Sequence, residues 1–255
     1  MRLLFVVCLF FIAVSGCASL GDKDDGDLGA KELYDKGKKA LNKGDYEMAI
    51  QSFEKLESRY PFRVYAQHAK LDIAYAYYKF GEPESAISAA DRFIKTYPRH
   101  PNVDYAYYIR GVASFPPEKS FFDKLFRLDP AHRDPRTAEK SFQYFSELVD
   151  KFPQSTYHND AVQRMIFLEN YLARHELYVA NYYMKRKAYV AALNRAEYII
   201  GNYSRARSVP DALAMMLKAY QKLGLDDLAA DTEKIIEFNY PNGLPANIEF
   251  TGFDS

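Results

Sequence analysis

The chain contains no tryptophan, and its only two cysteines, Cys8 and Cys17, fall within the first 17 of 255 residues. Everything beyond residue 17 therefore lacks a disulfide, a thiolate metal ligand and a thiol nucleophile. Net charge is lacking too: 34 Lys and Arg balance 34 Asp and Glu, so no global field draws the chain to nucleic acid or acidic lipid. The five histidines, His68, His100, His132, His158 and His175, make no metal-ligand spacing. His175-Glu176 opens like H-E-x-x-H, but residue 179 is Val. No G-x-S-x-G, phosphate loop or dinucleotide fingerprint occurs, and Asp123, Asp129 and Asp134 lie in a segment whose composition suits a solvated loop. These absences speak against an enzyme and against a metal or any other non-covalent cofactor.

Long apolar runs are equally scarce. The run LLFVVCLFFIAV, residues 3–14, follows a single Arg2 and is too short to span a bilayer but suits the apolar region of a secretory signal. It ends in Val14-Ser15-Gly16-Cys17, which resembles the bacterial lipoprotein signal, with small residues before a Cys that becomes the acylated first residue. That resemblance implies a signal peptide over 1–16 and, on Cys17, an S-diacylglycerol and an N-palmitoyl chain. Ala18, where an Asp commonly signals inner-membrane retention in such lipoproteins, implies the outer membrane, facing the periplasm. The alternative is an ordinary signal peptide cleaved near Gly16 or Ala18. Residues 17–30 are polar, acidic and Gly-rich after the Cys, which suits a flexible tether.

What the rest of the chain has is repetition. FEKLESRYP (53–61) returns as ADRFIKTYP (90–98), FSELVDKFP (145–153), AEYIIGNYS (196–204) and TEKIIEFNYP (232–241), each a helical pattern stopped by an aromatic residue and, in most cases, Pro. Twelve residues upstream of the stops stand Ala49, Ala86, Ser141, Ala192 and Ala229, all small, and Gly44, Gly81 and Gly224 precede three of these by five. A small residue lets two helices cross closely, Gly accepts the left-handed conformation past a first helix, and Pro ends a second one. The unit is a helical hairpin, and five of them fill residues 31 to 241. The third carries an insertion after Gly111; the fourth has extra residues ahead of its motif, which predicts a long first helix from about Asn159 to Met184.

The pattern resembles the tetratricopeptide repeat, so the expected fold is an all-α tetratricopeptide-repeat superhelix of five hairpins. The segments SRYPFRVYAQHAKLDIAYAYYKFGE, DRFIKTYPRHPNVDYAYYIRG and HRDPRTAEKSFQYFSELVDKFPQS, with the insertion FFDKLFRLDPAHRDP, further resemble the BamD family of outer-membrane β-barrel assembly lipoproteins. The resemblance implies a non-catalytic scaffold that binds the periplasmic domains of BamA, binds BamC and other lipoproteins of the machinery, and receives unfolded β-barrel precursors, with no nucleic-acid ligand. A different class, a lipoprotein whose array scaffolds a peptidoglycan- or envelope-remodelling enzyme, shares the lipid and the repeats but not the insertion. The expected layout is repeats 1–3 over 31–155 as the substrate-binding half, repeats 4–5 over 156–245 as the partner-binding half, and a flexible tail over 246–255.

Twenty-two tyrosines stand out against the missing tryptophan. The first-helix positions that face the ligand in tetratricopeptide arrays fall on Tyr34 and Lys38, on His68, Tyr75 and Tyr78, and on Tyr105 and Tyr108. Tyrosine offers broad contact area at low rotamer cost and a hydroxyl for a peptide backbone, which points to extended peptides as ligands. Core packing is the competing explanation for any one of them. Residues 161–209 hold eight Lys and Arg against three Glu; Arg195, Arg186 and Lys187 within this stretch are the expected partner contacts.

Overall fold

The computed structural model describes residues 28–117, 131 and 133–245. The signal segment, Cys17, most of the third-repeat insertion and the tail from 246 lie outside the described residues. Ten helices occupy the described chain: α1 (Ala30–Lys43), α2 (Tyr46–Arg59), α3 (Val64–Phe80), α4 (Pro83–Thr96), α5 (Val103–Ala113), α6 (Arg136–Lys151), α7 (His158–Lys185), α8 (Tyr189–Asn202), α9 (Val209–Leu223) and α10 (Asp226–Asn239). Taken in pairs they are the five expected hairpins, and α7, at 28 residues, is the long helix predicted ahead of the fourth motif. Among the described residues no helix is long and apolar enough to cross a membrane.

The recurrent aromatic stop has one geometry. Tyr60, Tyr97, Phe152, Tyr203 and Tyr240 each take the position after the last helical residue, with φ between −132° and −130° and an N–H that still donates to the carbonyl four residues back. In four cases the following Pro disfavours the α conformation at the aromatic, so the helix ends there by steric exclusion. The Tyr203-Ser204 stop reaches the same backbone without it, so the aromatic residue suffices. Each stop then accepts, at its own carbonyl, the N–H of the residue three further on (Arg63, His100, Ser155, Ala206, Gly243), a tight turn that redirects the chain.

Inside the hairpins the turns also repeat. Gly44, Gly81 and Gly224 have φ of 79°, 86° and 69°. The fourth hairpin has no glycine there: Lys187 fills the position with φ 61°, and its N–H and that of Ala188 bond back to Met184 and Tyr183 as those of Gly224 and Leu225 do to Gln221 and Tyr220. The helix-ending motif imposes the left-handed turn even on a residue with a Cβ.

The small residues of the second helices are buried as their role demands. Ala49, Ala86, Ser141 and Ala192 have no exposed surface and Ala229 is 7% exposed. Ser141, the one polar member, donates its Oγ to the Gly111 carbonyl at 2.8 Å, so its hydroxyl is satisfied where the helices cross. Four residues on, Phe53 and Phe145 are wholly buried, and each occupies the space a side chain would need at Gly37 and Gly111. Repeat four places Ala on both sides, Ala180 with Ala196, both wholly buried in one core. Glycine opposite phenylalanine and alanine opposite alanine are two ways to fill one volume.

Packing groups the chain into two compact units, residues up to Ala76 and residues from Tyr77 onward. In the first, Leu33, Ala49, Phe53, Leu56, Ala69 and Ile73 form the interior. In the second, Phe93, Ile109, Phe145, Leu148 and Leu168 are buried, and α7 to α10 share a core of Leu177, Met184, Ala192, Ile199, Met215 and Tyr220. Burying a Leu, Ile or Phe side chain contributes roughly 1.5–3 kcal/mol, which is what each hairpin lacks alone and gains from its neighbours.

Candidate functional site

In the first unit the side chains meet around one carboxylate. Tyr34 on α1 donates its Oη to Asp72 Oδ2 at 3.0 Å, and Lys38, one turn further, donates its Nζ to Asp72 Oδ1 at 2.9 Å. The Tyr34 ring lies between Phe53 at 5.9 Å, Tyr65 at 5.6 Å and His68 at 6.3 Å. Burial, then the Asp72 charge, pushes the Tyr34 hydroxyl well above the usual tyrosine range. Tyr34 and His68 are thus brought together, with His68 on the exposed side and Tyr34 half-buried. Asp72, which organises them, was not singled out in the sequence because it stands between the expected contact positions of α3. Tyr75 is half-buried in the same unit.

The second unit holds a larger aromatic cluster. Tyr108 on α5 stacks on Tyr157, the residue that opens α7, with centroids 4.7 Å apart and planes 24° apart; Tyr105 joins both, 5.2 Å from Tyr157 and 6.4 Å from Tyr108. Tyr108 donates its Oη to Asp160 Oδ2 at 2.7 Å, and Arg164 donates its Nε to the same oxygen at 2.6 Å. Burial and the bond to Asp160 push Tyr108 up to about 12. For Asp160, burial alone acts upward, but the bonds from Arg164 and Tyr108 outweigh it and hold the carboxyl below its usual value. Arg164 also lies 5.0 Å over the Phe115 ring, and Phe115 packs 5.3 Å from Phe167. Tyr78, also in this unit, is 37% exposed.

Tyr105 and Tyr108 were expected at a binding face, and the structure adds Tyr157, Phe115 and Phe167 to them. Phe115 stands two turns beyond Tyr108 and about one beyond Val112, on the same i, i+4, i+7 spacing, so it was within reach of the periodicity. Tyr157 caps the start of α7 and Phe167 lies within it, two helices further along the chain, and only the fold brings them here. Arg110, behind this cluster, is structural: it pairs with Asp91 at 3.0 Å and Glu147 at 3.2 Å and lies 4.0 Å over Tyr144.

The three cationic candidates differ among themselves. Arg195 on α8 pairs with Glu176 of α7 at 3.0 Å, the arginine side chain 44% exposed and the glutamate 13%. With Tyr183, Ala191, Asn194 and Tyr198 it lines a shallow depression of about 350 Å³. Arg186 lies 4.6 Å over the Tyr182 ring. Lys187 projects from the left-handed turn at the end of α7, where a cation also opposes the negative end of the helix dipole. Among the described residues no three His, Cys, Asp or Glu side chains gather as a metal site, and exposed Asp134 pairs with Arg136, whose hydrogen bonds hold it at about 2.

Five hairpins with close-crossing small residues, left-handed turns and aromatic stops define the class: an all-α array of tetratricopeptide type. The family model YfiO, described as an outer membrane lipoprotein, matches residues 26–235. The chain is 45% identical over 235 residues to outer membrane protein assembly factor BamD of Neisseria meningitidis serogroup A, covering 90% of this chain and 88% of that protein. It is 36% identical over 243 residues to the protein of the same name from Xylella fastidiosa, covering 94% and 83%. A crystal structure of MamA covers 83% of this chain and 94% of its own at 18% identity, with a TM-score of 0.38, a likeness that carries no further argument. The chain belongs to the YfiO family of outer membrane lipoproteins.

Proposed function

We propose that the protein is a non-catalytic scaffold for β-barrel assembly, held on the periplasmic face of the outer membrane by acyl chains on Cys17. Its first three repeats take unfolded barrel precursors, and its fourth and fifth bind the periplasmic domains of a BamA-type barrel protein and a BamC-type lipoprotein. The reading is supported by the relatives named as assembly factors at up to 45% identity over nine-tenths of the chain. The observation that carries the ligand class is the paired aromatic surfaces: Tyr34 with His68, and Tyr105 with Tyr108 and Tyr157, each backed by a carboxylate that fixes its hydroxyl. Rings held this way offer a preorganised apolar face beside polar groups, which suits aromatic-rich extended peptide.

The test is affinity purification of a tagged copy from detergent-solubilised envelope. Recovery of a large barrel protein, together with crosslinking of precursor peptide to the tyrosine faces, is the expected result. Recovery of a cell-wall enzyme without any barrel protein would overturn the reading in favour of an envelope-remodelling scaffold.

A further inference from the structure

The turn that joins the first hairpin to the second differs from its four counterparts in one respect. All five follow an aromatic stop and close on the same hydrogen bond, so their backbones ask for the same residues. Two places after the stop stand Phe62, Arg99, Gln154, Arg205 and Asn242; four places after stand Val64, Pro101, Thr156, Arg207 and Leu244. Only the first turn is apolar at both, and it leaves Phe62 98% and Val64 66% exposed. Nothing in the turn geometry requires this, since the others manage with Arg or Gln. Arg59 and Arg63, both exposed, flank Phe62.

The same turn lies where the chain enters the fold. Tyr60 donates its Oη to the Leu28 carbonyl at 3.3 Å, pinning the first described residues beside it. From Cys17 to Leu28 is a stretch of 11 residues, which reaches at most about 40 Å and as a random coil spans about 20 Å. If Cys17 is lipidated, as proposed above, Leu28 and the turn pinned to it are kept within that distance of the lipid surface.

We propose that the turn 60–64 is a membrane contact, in which Phe62 and Val64 enter the interfacial layer of the leaflet that holds the anchor while Arg59 and Arg63 meet its phosphate headgroups. An aromatic ring at headgroup depth flanked by cations is the chemistry of interfacial anchoring. The contact adds a second attachment point to the acyl chains and fixes which way the first hairpin faces.

The missing tryptophan makes the test direct. The lipidated full-length Phe62→Trp protein, reconstituted on phosphatidylethanolamine and phosphatidylglycerol vesicles, is compared with Gln154→Trp, the same turn position in the third repeat. Phe62→Trp should show a blue-shifted emission and at least about twofold quenching by brominated acyl chains, as expected of an indole at the interface, and Gln154→Trp should show neither. Replacing Arg59 and Arg63 by Gln should weaken the quenching without releasing the protein. If the protein floats with the vesicles but the Phe62→Trp emission stays water-like, the membrane contact is overturned and the anchor stands. Equal quenching at both positions also overturns it. If the protein does not float at all, the anchor reading fails, and the contact with it. If a barrel-precursor peptide shifts the emission without vesicles and vesicles do not, the turn is a peptide contact instead.

Discussion

At Gly37 an added Cβ would lie within 2.9 Å of three ring atoms of Phe53, a side chain with no exposed surface and no room to move. Alanine is the better helix former by about 0.8–1 kcal/mol, so propensity and packing oppose each other here. Packing should win: Gly37→Ala is expected to destabilise by about 1–3 kcal/mol, and Phe53→Ala by about 3–5 kcal/mol. The double variant installs the alanine pair that repeat four already uses, so its loss should fall short of the sum by about 1 kcal/mol or more in urea unfolding; strict additivity would mean that the two sites do not share a volume. Lys187 presents the reverse case. A left-handed residue with a Cβ costs roughly 1–2 kcal/mol, part of which glycine returns as unfolded-state entropy, so Lys187→Gly should raise stability by about 0.5–1 kcal/mol. An unchanged or lower melting temperature would show that the lysine side chain contributes contacts that outweigh the strain.

Between elements, the Tyr108–Asp160–Arg164 group joins α5 to α7 and makes that junction sensitive to pH at both ends of the scale. Tyr108 is pushed up to about 12, and burial likewise raises Tyr34, Tyr157, Tyr203 and Tyr220. The native state therefore keeps protons that unfolded tyrosines release near 10, and the stability so gained is full below about pH 10 and lost as pH rises through about 12. Asp160 has the opposite sign: its depressed value stabilises the fold above the unfolded carboxyl range and is lost on acidification. Urea midpoints should fall on the alkaline side together with late-titrating tyrosinate absorbance, and Asp160→Asn should flatten the acid side; a wild-type acid slope in that variant would contradict the assignment. The helices, turns and crossing alanines were legible in the sequence because each depends on residues within one hairpin, and Gly44, Ala49 and Tyr60 announce themselves by spacing. Tyr105 and Tyr108 were legible for the same reason. Asp72, Tyr157 and Phe167 were not, because their partners come from another helix, and the left-handed turn at Lys187 hid behind the residue type that usually avoids it.

For the whole molecule, charges that cancel leave only local fields to steer association, and one such local excess is the eight cations against three glutamates in residues 161–209. The structure shows that this excess is partly spoken for: Arg164 pairs with Asp160 and Arg195 with Glu176. Arg195 is nonetheless the more exposed partner of its pair and lines an open depression with Tyr183 and Tyr198, so an incoming carboxylate can share it while Glu176 holds it in place. Arg195→Glu should therefore weaken binding of the proposed BamA-type partner, with a greater loss at low salt than at high salt, because the steering component is screened. The substitution also sets two carboxylates against each other, so Arg195→Glu combined with Glu176→Gln separates a binding defect from a folding one. If binding returns in the double variant along with the wild-type melting temperature, the pair is a brace rather than a contact. If Arg195→Glu binds normally while Tyr105→Ala with Tyr108→Ala abolishes the partner complex in a folded protein, the partner occupies the aromatic surface, and the proposed division between a substrate half over 31–155 and a partner half over 156–245 is reversed.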